Sequence, residues 1–299
     1  MSFVDFVIIG AMKCGTTTLS RILAKHPDVC FCQKKEPHFF SKTSDWQNNL
    51  EEYRSLYQPK DNQICGEAST TYTFYPVFNV APKLYQFNPK LKLIYIMRNP
   101  YDRVVSQYLH CYSRSYTSLS LEQAILTTPG YINLTRYFVQ IKPYLELFGR
   151  EQILLLTLEE FANHREETLA KIADFLNIDA RKFEDADSIH ANQSIGNVRH
   201  NIKIEKMRRH NIISTLKPFV PELVKKTILK GIYRFTDRKI QEKPIISDYL
   251  KTTIANLVTL DVLEIEKLMG RKLEEWDLGD REQTTSKKLL SKEAVLASK

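Results

Sequence analysis

A short segment near the start of the chain combines glycine, lysine and hydroxyl residues in a pattern that suits anion binding. The segment GAMKCGTT, residues 10–17, follows an apolar run and precedes a run with helical character. A strand, a glycine-bounded loop and a helix N-terminus present backbone N–H groups and a positive dipole end to an anion. The spacing from Gly10 to Gly15 is that of a Walker A loop, but the cation is Lys13 rather than a lysine after Gly15. The sequence therefore predicts a phosphate-binding loop whose nucleotide need not be ATP.

Lys13 is the candidate for stabilising charge during a group transfer. A cation on this loop can contact the oxygen that bridges a transferred group and its leaving phosphate, where negative charge grows in the transition state. Gly15 allows the backbone to approach an anion closely. Thr16 and Thr17 add hydroxyl donors at the start of the helix. The alternative is that Lys13 is a solvated loop lysine.

A second candidate anion site lies in the segment RNPYDRVVSQYLH, which follows the apolar run IYIM. Arg98 ends the predicted strand, and Asn99 and Pro100 suit the cap and first position of a helix. P-loop kinases commonly end such a strand in an aspartate that helps to hold Mg²⁺. An arginine with a nearby serine hydroxyl suits a phosphate instead. The segment therefore predicts a phosphate clamp and no metal site, the alternative for Arg98 being a surface ion pair.

The helix predicted after Arg98 carries further polar groups. Arg103, Ser106 and His110 are spaced so that they share one helix face. Ser106 is the hydroxyl that accompanies Arg98 in the predicted clamp. His110 is either a functional group or an ordinary histidine on the helix surface.

The segment QKKEPHFF, residues 33–40, contains a candidate general base. It follows the second predicted strand, and α/β proteins bind ligands beyond the carboxyl ends of their strands. Glu36 can take a proton from an acceptor hydroxyl or amine. The residues alone favour a plainer alternative, an ion pair of Glu36 with Lys34 or Lys35.

The motifs GAMKCGTT, KKEPHFF and RNPYDRVVSQYLH together resemble the PAPS-dependent sulfotransferases, in particular the heparan sulfate sulfotransferase domains and their bacterial relatives. Later segments, FGREQILLLTLEEF and LEIEKLMGRKLEEW, are typical of the bacterial members, so that the resemblance covers roughly residues 3–277. It implies an α/β fold with a central parallel sheet flanked by helices, the P-loop NTPase-like sulfotransferase fold. It also implies that the sulfuryl donor is PAPS (3′-phosphoadenosine 5′-phosphosulfate), with no metal. The expected partner is a small-molecule or carbohydrate acceptor, which is sulfated on a hydroxyl or amine as PAP is released.

The resemblance also implies roles for individual residues. The positions that match the binding loop for the 5′-phosphosulfate are Lys13, Cys14, Gly15, Thr16, Thr17 and Thr18. Arg98 and Ser106 match positions that bind the 3′-phosphate, and Arg199 falls in a loop that relatives close over the nucleotide. Glu36 matches the general base of the glycan O-sulfotransferases, and His110 is a secondary candidate near the acceptor.

One departure from the heparan-type pattern concerns the third strand. Those enzymes usually carry a Glu-Lys pair after that strand, whereas this chain has Glu67 and Ala68. A lysine used for cofactor or acceptor is therefore absent from that position. Two other functions stay open on the residues alone: a P-loop kinase for a small molecule, and a nucleotide-binding protein without catalytic activity.

Alternating strands and helices are expected to position these motifs on one parallel sheet. The predicted strands are Val4–Ile9, Val29–Cys32, Gln63–Gly66, Leu91–Met97 and Gln152–Leu158. The predicted helices are 16–26, 47–57, 77–88, 100–113, 134–148, 160–175 and 246–269. We expect a single domain over residues 1–279, with a possible flap or lid at 217–244 and a polar tail at 280–299.

Composition narrows the classes of partner. The 299 residues carry a net charge of +8, which favours anionic partners. No basic run is long enough for a nucleic-acid arm, and no apolar stretch approaches the ~20 residues of a spanning helix. We therefore expect neither a nucleic-acid nor a membrane partner. Because the first predicted strand begins almost at once and the five cysteines suggest free thiols, we also expect no signal peptide and a cytoplasmic location.

Overall fold

The computed structural model describes residues 3–183, 198–199, 238–239 and 242–279. The chain divides into two compact units. The first comprises Met1–Arg103, Ile132–Ala191 and Asp248–Lys299, and the second comprises Val104–Tyr131 and Asn192–Ser247.

The first unit contains a parallel sheet. Its strands are β1 (Phe6–Gly10), β2 (Val29–Phe31), β3 (Ile64–Ala68), β4 (Lys92–Met97) and β5 (Ile153–Thr157). The spatial order is β2-β3-β1-β4-β5, and every neighbouring pair is parallel. From β1 the chain crosses to the edge strand β2, returns to β3 between β2 and β1, and then continues with β4 and β5 on the other side of β1. The connections that leave β1 and β4 therefore run in opposite directions, which makes a switch point between these two strands. In open α/β sheets such a switch point is where ligands bind, beyond the carboxyl ends of the strands.

Helices connect and flank the strands. Those of the described residues are α1 (Thr16–Lys25), α2 (Phe39–Lys42), α3 (Leu50–Arg54), α4 (Ala81–Phe87), α5 (Pro100–Ser113), α6 (Leu121–Thr127), α7 (Gly130–Asn133), α8 (Tyr137–Leu145), α9 (Leu158–Asn163), α10 (Arg165–Leu176) and α11 (Asp248–Met269). Short 3₁₀ helices lie at Thr70–Thr73, Arg150–Gln152 and Ala180–Lys182. In the second unit β6 (Val198–Arg199) pairs antiparallel with β7 (Arg238–Lys239). No helix among the described residues has both the length and the hydropathy that crossing a bilayer requires.

Burial explains why the strands form where they do. Every residue of β1 is buried, as expected for a central parallel strand covered on both faces. On one face of the sheet, Phe6, Ile8, Ile94 and Ile96 pack in a single apolar cluster. The helical side chains in that cluster are Leu19, Ile22 and Leu23 of α1, Phe161 of α9, and Leu169, Ile172 and Leu176 of α10.

The predicted parallel sheet is confirmed, and each predicted strand agrees with the observed one to within two residues at either end. The helix predicted at 100–113 is found with the same bounds. The single helix predicted at 160–175 is wrong, because the chain leaves helical geometry at His164 (φ −131°) between α9 and α10. Asn163 and His164 have modest helix propensity, and the acidic residues that follow favour a new N-terminus.

Some predictions fall mainly on residues that the structure does not describe. The loop predicted at 183–200 is described only at 183 and 198–199, and the flap at 217–244 only at 238–239 and 242–244. The tail at 280–299 lies outside the described residues. The predicted domain organisation stays a prediction.

Candidate active site

The loop that leaves β1 presents a helix end without a side-chain cap. The N–H of Ala11 donates to the carbonyl of Ile96 at 2.8 Å, which fastens the loop beside β4. Helix α1 begins at Thr16 after the cap residue Gly15, and its first turn has no acidic residue. The first N–H groups of a helix have no acceptor within the helix. This end of α1 therefore offers donors and a positive dipole end to an anion.

The backbone of the loop adopts left-handed conformations at two positions. Gly15 has φ +88°, and a Cβ placed there would lie 2.6 Å from Leu158 Cδ1. Lys13 has φ +71° although it carries a side chain. Left-handed geometry costs an ordinary residue roughly 1–2 kcal/mol, and such strain persists where the surrounding structure enforces it. The fold therefore holds Lys13 against its own backbone preference.

The remaining loop residues differ in what they can offer to a ligand. The thiol of Cys14 is fully buried, and burial raises its pKa to about 12, so it stays protonated at neutral pH. The N–H of Thr18 donates to the carbonyl of Gly15 at 2.9 Å, which commits it to the helix. Thr16 is buried and Thr17 half-buried. Lys13 is also half-buried.

Arg98 directly follows β4. Its guanidinium lies 3.4 Å from the carboxylate of Asp102, and its side chain is 23% exposed. The predicted cap of α5 is confirmed, because Asn99 Oδ1 accepts the N–H of Tyr101 at 2.9 Å. The N–H of Asn99 in turn donates to Glu159 Oε1 at 2.9 Å. The structure thus fixes the backbone around Arg98 and pairs its side chain with Asp102, the kind of ion pair that was the alternative reading of the sequence.

Glu36 pairs with a histidine that the sequence analysis did not single out. Its Oε2 lies 3.3 Å from Nε2 of His38, whereas Lys34 and Lys35 are exposed. Glu36 and His38 both have positive φ, at 52° and 55°. The side chains of the pair are 29% and 16% exposed, which leaves the carboxylate within reach of a ligand.

Hydrogen bonds hold His38 in place from two sides. Its Nδ1 lies 2.8 Å from Thr71 Oγ1, and its backbone N–H donates to Ser69 Oγ at 3.0 Å. The N–H of Ser69 donates to the carbonyl of Ile8 in β1 at 3.1 Å. The Glu36 segment is therefore tied to the carboxyl end of the strand that precedes the Lys13 loop.

Glu67 lies beneath this arrangement as a fully buried carboxylate. Its Oε1 accepts the hydroxyl protons of Tyr53 and Tyr72, each at 2.7 Å, and its Oε2 accepts that of Ser69 at 2.7 Å. Burial raises the pKa of Glu67, and these three donors act in the opposite direction. Glu67 thus fixes the Ser69 hydroxyl, which in turn accepts the N–H of His38.

The polar residues predicted on α5 are less exposed than a binding face would suggest. Arg103 is fully buried, and its Nε donates to Thr135 Oγ1 at 2.7 Å. Ser106 is buried and His110 half-buried; both belong to the second unit. Of Arg199 only the backbone, in β6, is described. The roles predicted for Ser106, His110 and Arg199 stay predictions.

Comparison with known proteins identifies the family. The sulfotransferase domain model matches residues 4–222, which is most of the chain. The chain belongs to the sulfotransferase domain family. It is 26% identical to carbohydrate sulfotransferase 15 of Mus musculus over 58% of this chain and 43% of that protein. It is 28% identical to heparan sulfate glucosamine 3-O-sulfotransferase 6 of Homo sapiens over 59% of this chain and 53% of that protein.

The solved structures support the fold of this sulfotransferase-family chain. The crystal structure of a sulfotransferase from Alicyclobacillus acidocaldarius has a TM-score of 0.64 and 24% identity, covering 92% of this chain and 99% of that one. The chain spans about half, or less, of the length of the curated relatives cited above. The resemblance to the sulfotransferase family and the predicted fold class are thereby confirmed.

Two kinds of residue in this candidate site were not predicted from the sequence. His38 is two positions from Glu36, and that adjacency was a usable sign. The hydroxyl partners of Glu67 come from separate segments, and no local pattern connects them. Tertiary structure alone brings them together.

Proposed function

We propose that this chain is an enzyme that transfers a sulfuryl group from PAPS to an acceptor hydroxyl or amine, with release of PAP. The observation that carries the proposal is the position of two segments at the switch point of the sheet. The Lys13 loop follows β1, and Arg98 follows the neighbouring strand β4. PAPS is anionic at its 5′-phosphosulfate and at its 3′-phosphate. An uncapped helix end with a lysine suits the first group, and an arginine suits the second.

The loop fits the 5′ end of such a nucleotide on structural grounds. Gly15 has the left-handed φ that joins the loop to the start of α1, and that end of α1 has neither a side-chain cap nor an acidic residue in its first turn. When bound, PAPS supplies a sulfuryl group already attached to a phosphate leaving group. Lys13 and the loop N–H groups would hold that phosphate and stabilise the negative charge that it gains. Positioning and electrostatics would then supply most of the rate, as in phosphoryl transfer.

Glu36 is the proposed general base. Its carboxylate is partly exposed, and the His38 pairing gives it one orientation beyond the end of β2. From there it would accept the proton of the acceptor hydroxyl or amine. Ser106 and Arg199 are proposed as further contacts to the 3′-phosphate, and His110 as a secondary group near the acceptor.

We propose a carbohydrate or carbohydrate-like acceptor, or another small molecule with an accessible hydroxyl or amine. The names of the relatives support the carbohydrate class, because they describe carbohydrate and heparan sulfate glucosamine sulfotransferases. The kinase alternative has less support. A kinase of this fold would need a carboxylate near the loop to hold Mg²⁺, but arginine rather than aspartate follows β4. The Glu67 carboxylate already accepts three hydroxyl hydrogen bonds.

Release of PAP from PAPS in the presence of an acceptor panel tests the proposal. The panel should contain heparan- and chondroitin-type oligosaccharides and simple phenols and alcohols. We expect acceptor-dependent PAP release that K13A slows by about two to three orders of magnitude, since one transition-state donor is worth ~3–4 kcal/mol. A tight PAP complex without turnover on any acceptor would support a non-catalytic nucleotide-binding protein, and a loss below tenfold in K13A would remove Lys13 from its role.

A further inference from the structure

One buried hydroxyl group contacts both proposed anion-binding segments. Tyr137 begins α8 and is fully buried. Its O–H donates to the carbonyl of Arg98 at 2.6 Å, and its oxygen lies 3.3 Å from the N–H of Arg98, which donates to it. The same oxygen lies 3.8 Å from Sγ of Cys14, on the Lys13 loop. Tyr137 thus joins the backbone at the end of β4 to the loop at the end of β1.

The directions of these hydrogen bonds are limited because the Tyr137 hydroxyl and the Cys14 thiol each have a single proton. A tyrosine hydroxyl has one proton, and the short bond to Arg98 uses it. The Cys14 thiol also has one proton, for which the Met12 carbonyl at 3.6 Å and the Tyr137 oxygen at 3.8 Å compete as acceptors. Burial keeps that thiol protonated, as its donor role requires. Tyr137 is therefore held to Arg98 by two hydrogen bonds and contacts the Cys14 thiol through a weaker interaction that the thiol shares with Met12.

The position of Tyr137 is itself fixed by the elements around it. The carboxylate of Asp261 in α11 accepts the N–H groups of Phe138 and Val139 at 2.8 and 3.0 Å, which caps the end of α8. The tyrosine ring lies against Trp276, with 5.6 Å between ring centroids, and against Tyr95 at 6.2 Å. The hydroxyl therefore has little freedom to follow either segment if one of them moves.

We infer that Tyr137 is a positioning residue that sets the separation between the Lys13 loop and Arg98, and so sets the preference for a nucleotide carrying both 5′ and 3′ phosphate groups. The inference rests on the proposed function. A nucleotide that has only a 5′ phosphate depends on the loop and the helix end. One that also has a 3′ phosphate depends on the distance from that loop to Arg98. Loss of the shared hydroxyl should therefore weaken binding of the second nucleotide more than binding of the first.

Calorimetric titration with PAP and with adenosine 5′-monophosphate measures this preference. Y137F keeps the ring and removes the hydroxyl. Y144F is the matched control, because Tyr144 is on the same helix and is also buried. Its hydroxyl donates to the Tyr72 carbonyl at 2.7 Å, and Tyr72 belongs to neither of the two segments. We expect the ratio of PAP affinity to monophosphate affinity to fall about tenfold in Y137F, as for the loss of one buried hydrogen bond. In Y144F it should change by less than about twofold.

The outcomes separate this inference from the proposed function. An unchanged ratio in Y137F, or an equal fall in Y144F, overturns the inference while the wild-type preference for PAP still supports the function. A wild-type protein that does not prefer PAP overturns both. If Y137F fails to fold by circular dichroism, C14A decides, since it removes the loop side of the contact and leaves the two Arg98 hydrogen bonds. A lower ratio in C14A supports the inference, and an unchanged ratio overturns it.

Discussion

At the scale of single residues, Lys13, Glu36 and the His38 that pairs with Glu36 have left-handed backbone conformations, which ordinary residues rarely adopt. Each such residue costs roughly 1–2 kcal/mol relative to an ordinary conformation. Because hydrogen bonds from Ser69 and Thr71 fix His38, the fold can impose this geometry on the Glu36 pair. Strain of this kind concentrates at functional sites.

Substitution of Glu36 should separate chemistry from nucleotide binding. E36Q keeps the shape of the side chain and removes its ability to accept a proton, so we expect turnover to fall by about 10²–10⁴-fold. The dissociation constant for PAP should change by less than about threefold, since Glu36 follows β2 and lies in neither of the two segments proposed to hold the phosphates. E51Q is the matched control, because Glu51 is an exposed glutamate paired with Arg54. Steady-state kinetics and PAP titration check both values, and a collapse of PAP affinity in E36Q would show that Glu36 is structural.

At the scale of elements, the junction between β1 and α1 determines whether the anion site can form. Gly15 has the left-handed conformation that ends the loop and begins the helix, and a methyl group there would lie 2.6 Å from Leu158 Cδ1, so the Leu158 side chain would have to move. A substitution at Gly15 would therefore disturb the loop, the start of α1 and the packing of Leu158 at the start of α9 together.

Replacement of Gly15 by alanine should damage both folding and binding. We expect G15A to lower the free energy of unfolding by about 1–3 kcal/mol, from backbone strain and overlap with Leu158. PAP affinity should fall by at least about tenfold, since the loop N–H groups are displaced. G130A serves as the control, because a Cβ at Gly130 meets nothing within 4 Å, and its unfolding free energy should change by less than about 0.5 kcal/mol. Equal effects in the two variants, measured by urea denaturation, would contradict the account.

The cap that Asp261 gives to α8 predicts a pH dependence of stability. Burial raises the pKa of Asp261 to about 6 from 3.8, against the opposing N–H donors of Val139 and Phe138. The folded state therefore holds this proton more tightly than the unfolded state does. The contribution of Asp261 to stability is greatest below pH 3.8, falls as the pH rises towards 6, and is constant above it.

The difference in unfolding free energy between the wild type and D261N should show this profile. We expect that difference to fall by about 2 kcal/mol between pH 4 and pH 6.5 and then to stay nearly level. D248N is the control, since Asp248 begins the same helix and its side chain is fully exposed. Urea denaturation at several pH values measures both. A difference that rises with pH, or a matching fall for D248N, would contradict the burial argument.

At the scale of the whole molecule, the sheet was predictable because its strands are short apolar runs followed by recognisable motifs. β1, β4 and α5 follow directly from the runs FVIIG and KLIYIM and from the Asn99–Pro100 start. The short helix α6 was missed, although Ser120 and Gln123 form a capping box that marks its start. Local pattern therefore predicts the elements well where apolar periodicity and caps coincide.

The site was predictable only in part, for a physical reason. Lys13, Arg98 and Glu36 lie in motifs that stand out along the chain, whereas Tyr137 and Glu67 matter because of distant partners. The partner of the Tyr137 hydroxyl is 39 residues away, and that of the Tyr53 hydroxyl is 14 residues away. Such contacts are properties of the folded chain. A single sequence carries no local sign of them.

A thermal-shift titration with PAP, and separately with ATP and Mg²⁺, distinguishes a site for a bisphosphate nucleotide from a site for a magnesium-bound triphosphate. A ligand present at 100 times its dissociation constant stabilises the folded state by about 2.7 kcal/mol. For a chain of this size we expect PAP without metal to raise the melting temperature by about 4 °C. ATP with Mg²⁺ should raise it far less. Stabilisation by the magnesium–ATP complex, with no effect of PAP, would contradict the assignment of a bisphosphate nucleotide to the site between Lys13 and Arg98.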